Sequence, residues 1–107
     1  MDGQRVLTTA GGSQPLEFFV SGERALRLEP TAGTPNLIGG FSGNTVSSGV
    51  VGAVIAGGGV NGLINRATAN YSAVLGGAGN WASGLNAAVV GGLQNQATAE
   101  YSAVLGG

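Results

Sequence analysis

Short apolar runs closed by paired glycines recur along the second half of this chain. ATANYSAVLGG, from Ala67 to Gly77, returns as ATAEYSAVLGG from Ala97 to Gly107, and only Asn70 and Glu100 differ between the two. Halfway between them stands a weaker copy, ASGLNAAVVGG, from Ala82 to Gly92, so the repeat unit is fifteen residues. NLIGG, beginning at Asn36, and GAVIAGG, beginning at Gly52, are degenerate copies at wider spacings, which brings the count to five between Asn36 and Gly107. A fixed period of this length is the mark of a solenoid, in which each copy is one coil stacked on the next.

Each copy has two parts. The apolar run ending in Gly-Gly reads as a short strand and a corner, and the step Asn-x-Ala-Ser/Thr-Gly/Ala, at Asn80 to Gly84 and Asn95 to Ala99, reads as a second strand and a second corner. Asn65 to Ala69 matches the same step. Glycine pairs and asparagines are expected to supply the positive-φ positions that tight corners require. A helical reading fails, because glycine at this density would lose about 1 kcal/mol per residue relative to alanine. The expected fold is all-β: a parallel β-solenoid of about fifteen residues per coil over residues 36–107, preceded by a segment of different character at 1–35.

Within a strand the side chains alternate, so Ala73 and Leu75 face one way and Val74 the other. Stacking the copies predicts one column of Ile38, Ile55, Leu75, Val90 and Leu105, and an opposite column of Leu37, Val54, Val74, Val89 and Val104. Both columns are apolar, and a strand apolar on both faces must be buried on both. A fifteen-residue coil has one interior, so the valine column is expected to need a surface from outside its own coil. Residues 1–35 are too short and too charged to cover five coils, which leaves a second copy of the chain and an obligate homo-oligomer. Each such valine contributes about 1.5 to 3 kcal/mol on burial, so five per chain would make assembly dominant.

The first segment carries its own pattern. Leu16, Phe18 and Val20 alternate, Ser21 and Gly22 make a turn, and Leu26 and Leu28 alternate with Arg27 and Glu29, which predicts a β-hairpin between Pro15 and Pro30. Its expected place is over the open end of the solenoid as a cap for otherwise unpaired strand edges, with Thr31 to Pro35 as connector.

Composition narrows the function. The 107 residues include 22 glycines but only 8% charged residues, and past the first thirty only Arg66 and Glu100 are charged. Four arginines, no lysine and a net charge of -1 provide no basic stripe for a phosphate backbone, so no nucleic-acid partner is expected. The longest uncharged apolar and glycine run, Gly49 to Val60, is too short and too glycine-broken to insert in a membrane as a helix. With no cysteine and no histidine, disulfides, thiolate and imidazole catalysis and the common zinc and copper ligand sets are excluded, and no catalytic residue, metal or cofactor is expected. MDGQRVLTT shows no secretion signal, while an interior-looking start and an uncapped stop at Gly107 predict a fragment of a longer protein.

Individual motifs yield to the repeat. Gly57, Gly59 and Gly62 in GGGVNG have the spacing of a dinucleotide loop, but no acidic residue stands some twenty positions later and paired glycines follow every similar strand. A calcium-binding roll would need aspartates beside its glycines, and the repeats contain none. Hexapeptide acyltransferase helices have coils in multiples of six and a catalytic histidine, neither of which occurs here. Ser72, Ser102, Thr68 and Thr98 have no neighbouring base and read as corner hydrogen-bonding groups. Tyr71, Tyr101, Trp81 and Phe41 are expected to pack over neighbouring coils or a subunit boundary. Asn70-Tyr71-Ser72 has the form of a glycosylation acceptor that arises easily in such repeats. An ice-binding face would need a regular threonine ladder, and only Thr68 and Thr98 repeat, with Ser83 between.

Ser72 to Gly77 (SAVLGG), with the Asn-x-Ala-Ser/Thr-Gly/Ala step between strands, resembles the head repeats of trimeric autotransporter adhesins, and similar repeats occur in phage tail-fibre-like proteins. PLEFFVSGERALRLEP resembles the segment leading into such repeats. The resemblance, which covers residues 36–107, implies a left-handed parallel β-roll wound as a homotrimer. It implies display on a cell surface or virion and attachment to a host surface protein or glycan, with a plain spacer in a tail-like fibre as the alternative. The fifteen-residue period and doubled glycine depart from the fourteen residues and single glycine usual in adhesin heads.

Overall fold

The computed structural model of the chain describes residues 13–107, and among them every regular element is a β-strand. The expectations that fall on residues 1–12 of the first segment lie outside the described residues. The chain winds as a β-solenoid of about five turns, elongated to 46 × 32 × 23 Å. Each of the five turns contributes one short strand to the first sheet, and four of them contribute a two-residue strand to the second. With β1 at Leu16–Val20, β2 at Glu23–Glu29, β3 at Asn36–Gly39, β4 at Thr45–Val46, β5 at Val54–Ile55, β6 at Arg66–Ala67, β7 at Ala73–Val74, β8 at Trp81–Ala82, β9 at Ala88–Val89, β10 at Gln96–Ala97 and β11 at Ala103–Val104, one sheet has the order β1-β2-β3-β5-β7-β9-β11 and the other β4-β6-β8-β10.

In the first sheet β3 (Asn36–Gly39), β5 (Val54–Ile55), β7 (Ala73–Val74), β9 (Ala88–Val89) and β11 (Ala103–Val104) run parallel. In the second, β4 (Thr45–Val46), β6 (Arg66–Ala67), β8 (Trp81–Ala82) and β10 (Gln96–Ala97) do the same. The last two steps advance 15 residues, from Val74 to Val89 to Val104, whereas Ile38 to Ile55 takes 17 and Ile55 to Val74 takes 19.

These registers correct the expected columns. Ile38, Ile55, Val74, Val89 and Val104 form one column, and Leu37, Val54, Ala73, Ala88 and Ala103 the next. Leu75, Val90 and Leu105 stand one residue further on, level with Ala56 and outside both columns. The parts of each expected column are internally in step, but the join between Ile55 and its successor is off by one. The corner glycine sets the register: Gly58, Gly77 and Gly92 stack, and each lies three residues past its core residue. Counting back from the Gly-Gly pair, and not forward along the apolar triplet, pairs Ile55 with Val74.

Ile55, Val74 and Val89 are fully buried inside their own coils with Ala53, Ala67, Ala82, Ala87 and Ala97. The valines therefore face the coil interior and not a partner, and each contributes about 1.5 to 3 kcal/mol to the solenoid itself. Alanine on the second sheet is what lets two sheets close on each other around one large side chain per turn.

The corners also differ from expectation. Gly77 and Gly92 do take positive φ, at 76° and 93°, and a Cβ on Gly77 would collide with the carbonyl oxygen of Gly92, so glycine is required there. Asn65, Asn80 and Asn95 keep negative φ. At the far corner the left-handed position is held by Gly52, Tyr71, Asn86 and Tyr101 in successive coils, with φ between 57° and 70°. Tyr71 leans over the backbone of the preceding coil, where a Cβ on Gly52 would meet its ring.

The asparagines instead build a ladder along the coil axis. Asn44 Oδ1 accepts from the backbone N–H of Asn65 at 2.9 Å, Asn65 Oδ1 from Asn80 at 2.9 Å, and Asn80 Oδ1 from Asn95 at 2.8 Å. Each Nδ2 donates to a glycine carbonyl of its own coil and to one of the next, as Asn80 does to Gly76 at 3.0 Å and Gly92 at 2.9 Å. The next-coil carbonyls also accept a backbone N–H, as Gly92 O does from Ala78 N, whereas the own-coil carbonyl, such as Gly76 O, receives the carboxamide as its partner. Asn44, Asn65 and Asn80 are buried accordingly.

The N-terminal hairpin forms from β1 (Leu16–Val20) and β2 (Glu23–Glu29), with Ser21 and Gly22 both at positive φ in its turn. β2 pairs antiparallel with β3, from Leu26 opposite Gly39 to Glu29 opposite Asn36. The hairpin thus extends the first sheet sideways and does not lie over its outer face. A hydroxyl turn at Thr31, whose Oγ1 donates to Thr34 O and accepts from Gly33 N, makes the connection.

Candidate functional site

Three surfaces could carry a function. The first is the outer face of the first sheet, where Ala73 and Ala88 are half-buried beside exposed Leu75 (49%), Val90 (42%) and Leu105 (80%). Period two inside each strand places these three opposite Val74, Val89 and Val104, so the sheet is apolar on both sides, with one side closed by its own coil and the other open. Tyr71 and Tyr101 are exposed at the adjoining corner. The alanine rows leave room for a neighbouring surface to approach the leucines closely.

The second is a cleft of about 480 Å³ between the hairpin and the first coil, lined by Arg27, Glu29, Val46, Val50 and Val51 among others. Its charges are spent on each other. Arg27 Nη1 lies 3.4 Å from Glu17 Oε2, and Glu29 Oε1 accepts from Asn36 Nδ2 at 3.1 Å; elsewhere on the hairpin, outside this cleft, Arg24 Nη2 donates to Ser42 O at 3.0 Å. Arg27 Nε is 3.3 Å from Glu29 Oε2 without being aligned for a hydrogen bond, which leaves it a buried donor with an ion-pair neighbour only. The arrangement ties the hairpin to the solenoid.

The third is a groove of about 260 Å³ on the second sheet. Its floor is the outward column Arg66, Trp81 and Gln96, set by the parallel register of β6, β8 and β10. Arg66 holds its guanidinium 5.4 Å from the centre of the Trp81 ring. Trp81 Nε1 donates to Thr68 Oγ1 at 2.9 Å, which fixes the indole. Beside it rises a two-residue hairpin, Val60 to Leu63, closed by mutual backbone bonds of 3.2 and 3.0 Å across Asn61 and Gly62. This hairpin accounts for the extra length of its coil.

The residues singled out by their chemistry fall into structural roles. Ser72 and Ser102 donate their hydroxyls to Ala69 O and Ala99 O at 2.6 Å, as corner groups. Ser72 is fully buried and Asn70 Oδ1 accepts from Val51 N, so the Asn70-Tyr71-Ser72 triplet is built into a corner. Gly57 and Gly59 lie in a repeat corner and Gly62 in the small hairpin, with strand following and no helix. Ser47, Thr68, Ser83 and Thr98 do align on the second sheet, but the neighbouring column holds Thr45, Arg66, Trp81 and Gln96, which is not a flat hydroxyl array. Among the described residues no group of three acidic side chains converges as a metal site, and no helix is long and apolar enough to cross a membrane.

The Arg66 and Trp81 pair was missed by reading along the chain, although a fifteen-residue offset makes the two neighbours in adjacent coils. Comparison of the chain with protein-family models, with curated proteins and with solved structures gives no match.

Proposed function

We propose that the chain is a structural and adhesive module of an extracellular fibre, a left-handed β-roll assembled as a homotrimer and displayed on a cell surface or virion. The observation that carries the reading is the open apolar face formed by Leu75, Val90 and Leu105. An apolar strip repeated in each of the last three coils costs solubility unless something covers it. The chain's own hairpin pairs beside this sheet and leaves the face uncovered. A second and third copy supply identical strips at identical spacing around a shared axis. The hairpin, by pairing with β3, caps the sheet edge that would otherwise recruit foreign strands. No acid, base or nucleophile is assembled by the repeats, so the function lies in projecting and presenting surface.

The test is solution mass by light scattering. The chain is expected at three times its 10.4 kDa. Leu75→Asp combined with Val90→Asp should reduce the mass to a single chain while the far-ultraviolet β signal persists, because both side chains lie outside the coil. A wild-type mass of one chain, or an assembly indifferent to the double variant, overturns the reading.

A further inference from the structure

We propose that the groove over Arg66 and Trp81 binds a carboxylated saccharide. The inference deepens the adhesive reading by naming a site and a ligand class.

The groove is where the repeat breaks its own rules. The outward column reads Thr45, Arg66, Trp81 and Gln96, so the large aromatic and the cation each occur once and in adjacent coils. Arg66 is the only cation between residues 36 and 107, and among the described residues it forms neither an ion pair nor a hydrogen bond. Stacking on the indole holds the guanidinium in place and leaves its N–H fork free. A carboxylate matches that fork in two parallel hydrogen bonds.

The side wall is as particular. Gln94 takes φ 55°, where the preceding coil has Gly79 at 69°. A non-glycine residue in that region costs on the order of 1 kcal/mol. Gly79 lets both Leu63 and Gln94 lie against the backbone: a Cβ there would be 3.2 Å from Leu63 Cδ2 and 3.1 Å from Gln94 Cγ. The Gln94 and Gln96 carboxamides have no intramolecular hydrogen bond among the described residues, so each retains donors and an acceptor for hydroxyl groups.

A partly exposed indole, a pre-set guanidinium and two free carboxamides suit a sugar ring that presents C–H groups to the aromatic, hydroxyls to the amides and a carboxylate to Arg66. The inserted hairpin at Val60 to Leu63 bounds the same groove, and insertions in repeat proteins gather on the binding face.

Trp81 is the only tryptophan of the chain, so intrinsic fluorescence reports on this groove alone. The full chain is titrated with 3′-sialyllactose, with a hyaluronan tetrasaccharide and with neutral lactose. At least one carboxylated probe should shift Trp81 emission saturably, and lactose should bind about tenfold more weakly or not at all. Arg66→Gln should weaken the carboxylated probe about tenfold, and Gln94→Gly, which installs the residue of the preceding coil, should weaken it several-fold with thermal stability unchanged or raised. Lack of response to both carboxylated probes, equal response to lactose, or undiminished affinity in Arg66→Gln overturns the proposal. Light scattering on the same samples separates the two readings. A trimer that binds no sugar removes the groove alone, and a single chain that binds removes the trimer and keeps the groove.

Discussion

The solenoid has a regular half and an irregular half. From Arg66 to Gly107 the coils are 15 residues each, uncharged but for Arg66 and Glu100, and the first and third share the string ATA-x-YSAVLGG. From Leu16 to Asn65 there are a charged hairpin and coils of 17 and 19 residues. Yet the asparagine ladder passes through both without a break, from Asn44 to Asn95, and the apolar column does the same from Ile38 to Val104. Coil length is therefore not what defines the fold. The fixed quantities are one large inward side chain, one glycine corner and one buried carboxamide per turn, and extra residues are accommodated where they can point to solvent.

The largest effect should come from breaking what both halves share. Val74→Asp puts a charge into a closed coil with no partner and should abolish the cooperative thermal transition followed by circular dichroism. Gly77→Ala, forced to φ 76° against the Gly92 carbonyl, should cost more than about 3 kcal/mol by urea denaturation.

Next comes the ladder. Asn80→Ala orphans the Asn95 N–H and the Gly76 carbonyl and should cost on the order of 3 kcal/mol. Asn95→Ala removes no bond to a following backbone N–H, and its 3.4 Å contact to Gly107 is exposed, so about 1 kcal/mol is expected. Equal losses in the two variants would mean that the ladder is ornamental and that the strands alone set stability.

Deleting Val60 to Leu63 returns the long coil to 15 residues and should change stability by less than about 1 kcal/mol, since the hairpin is exposed and loop length carries a small entropic cost. A loss as large as that of Asn80→Ala would end the claim that length is free. The smallest effect is expected from Glu17→Gln in the hairpin, within about 1 kcal/mol and shrinking with added salt, because its pairs with Arg24 and Arg27 are part-exposed.

Much of this architecture can be read along the chain. The period, the two strands per turn, the hairpin at Leu16 to Glu29 and the glycine corners follow from alternation and turn chemistry, which are local. The columns were half legible. Alternation separates Val74 from Leu75, but which of them continues Ile55 depends on where the corner falls across a coil of unequal length. Asparagine was legible as a corner residue, and its role was not: a positive-φ turn residue and a buried ladder look alike in sequence. The non-glycine residues of the coils that take positive φ, Tyr71, Asn86, Gln94 and Tyr101, share no side-chain chemistry that would announce it.

The sequence alone determined that this chain is a glycine-cornered β-solenoid without cysteine or histidine, because periodicity and composition are properties of the string. Tertiary structure decided which apolar column closes the coil and which stays open, where the carboxamides bond, and that Arg66 meets Trp81. Those depend on register between residues 15 to 21 positions apart, and hydrogen bonds across the coils, not along them, set that register.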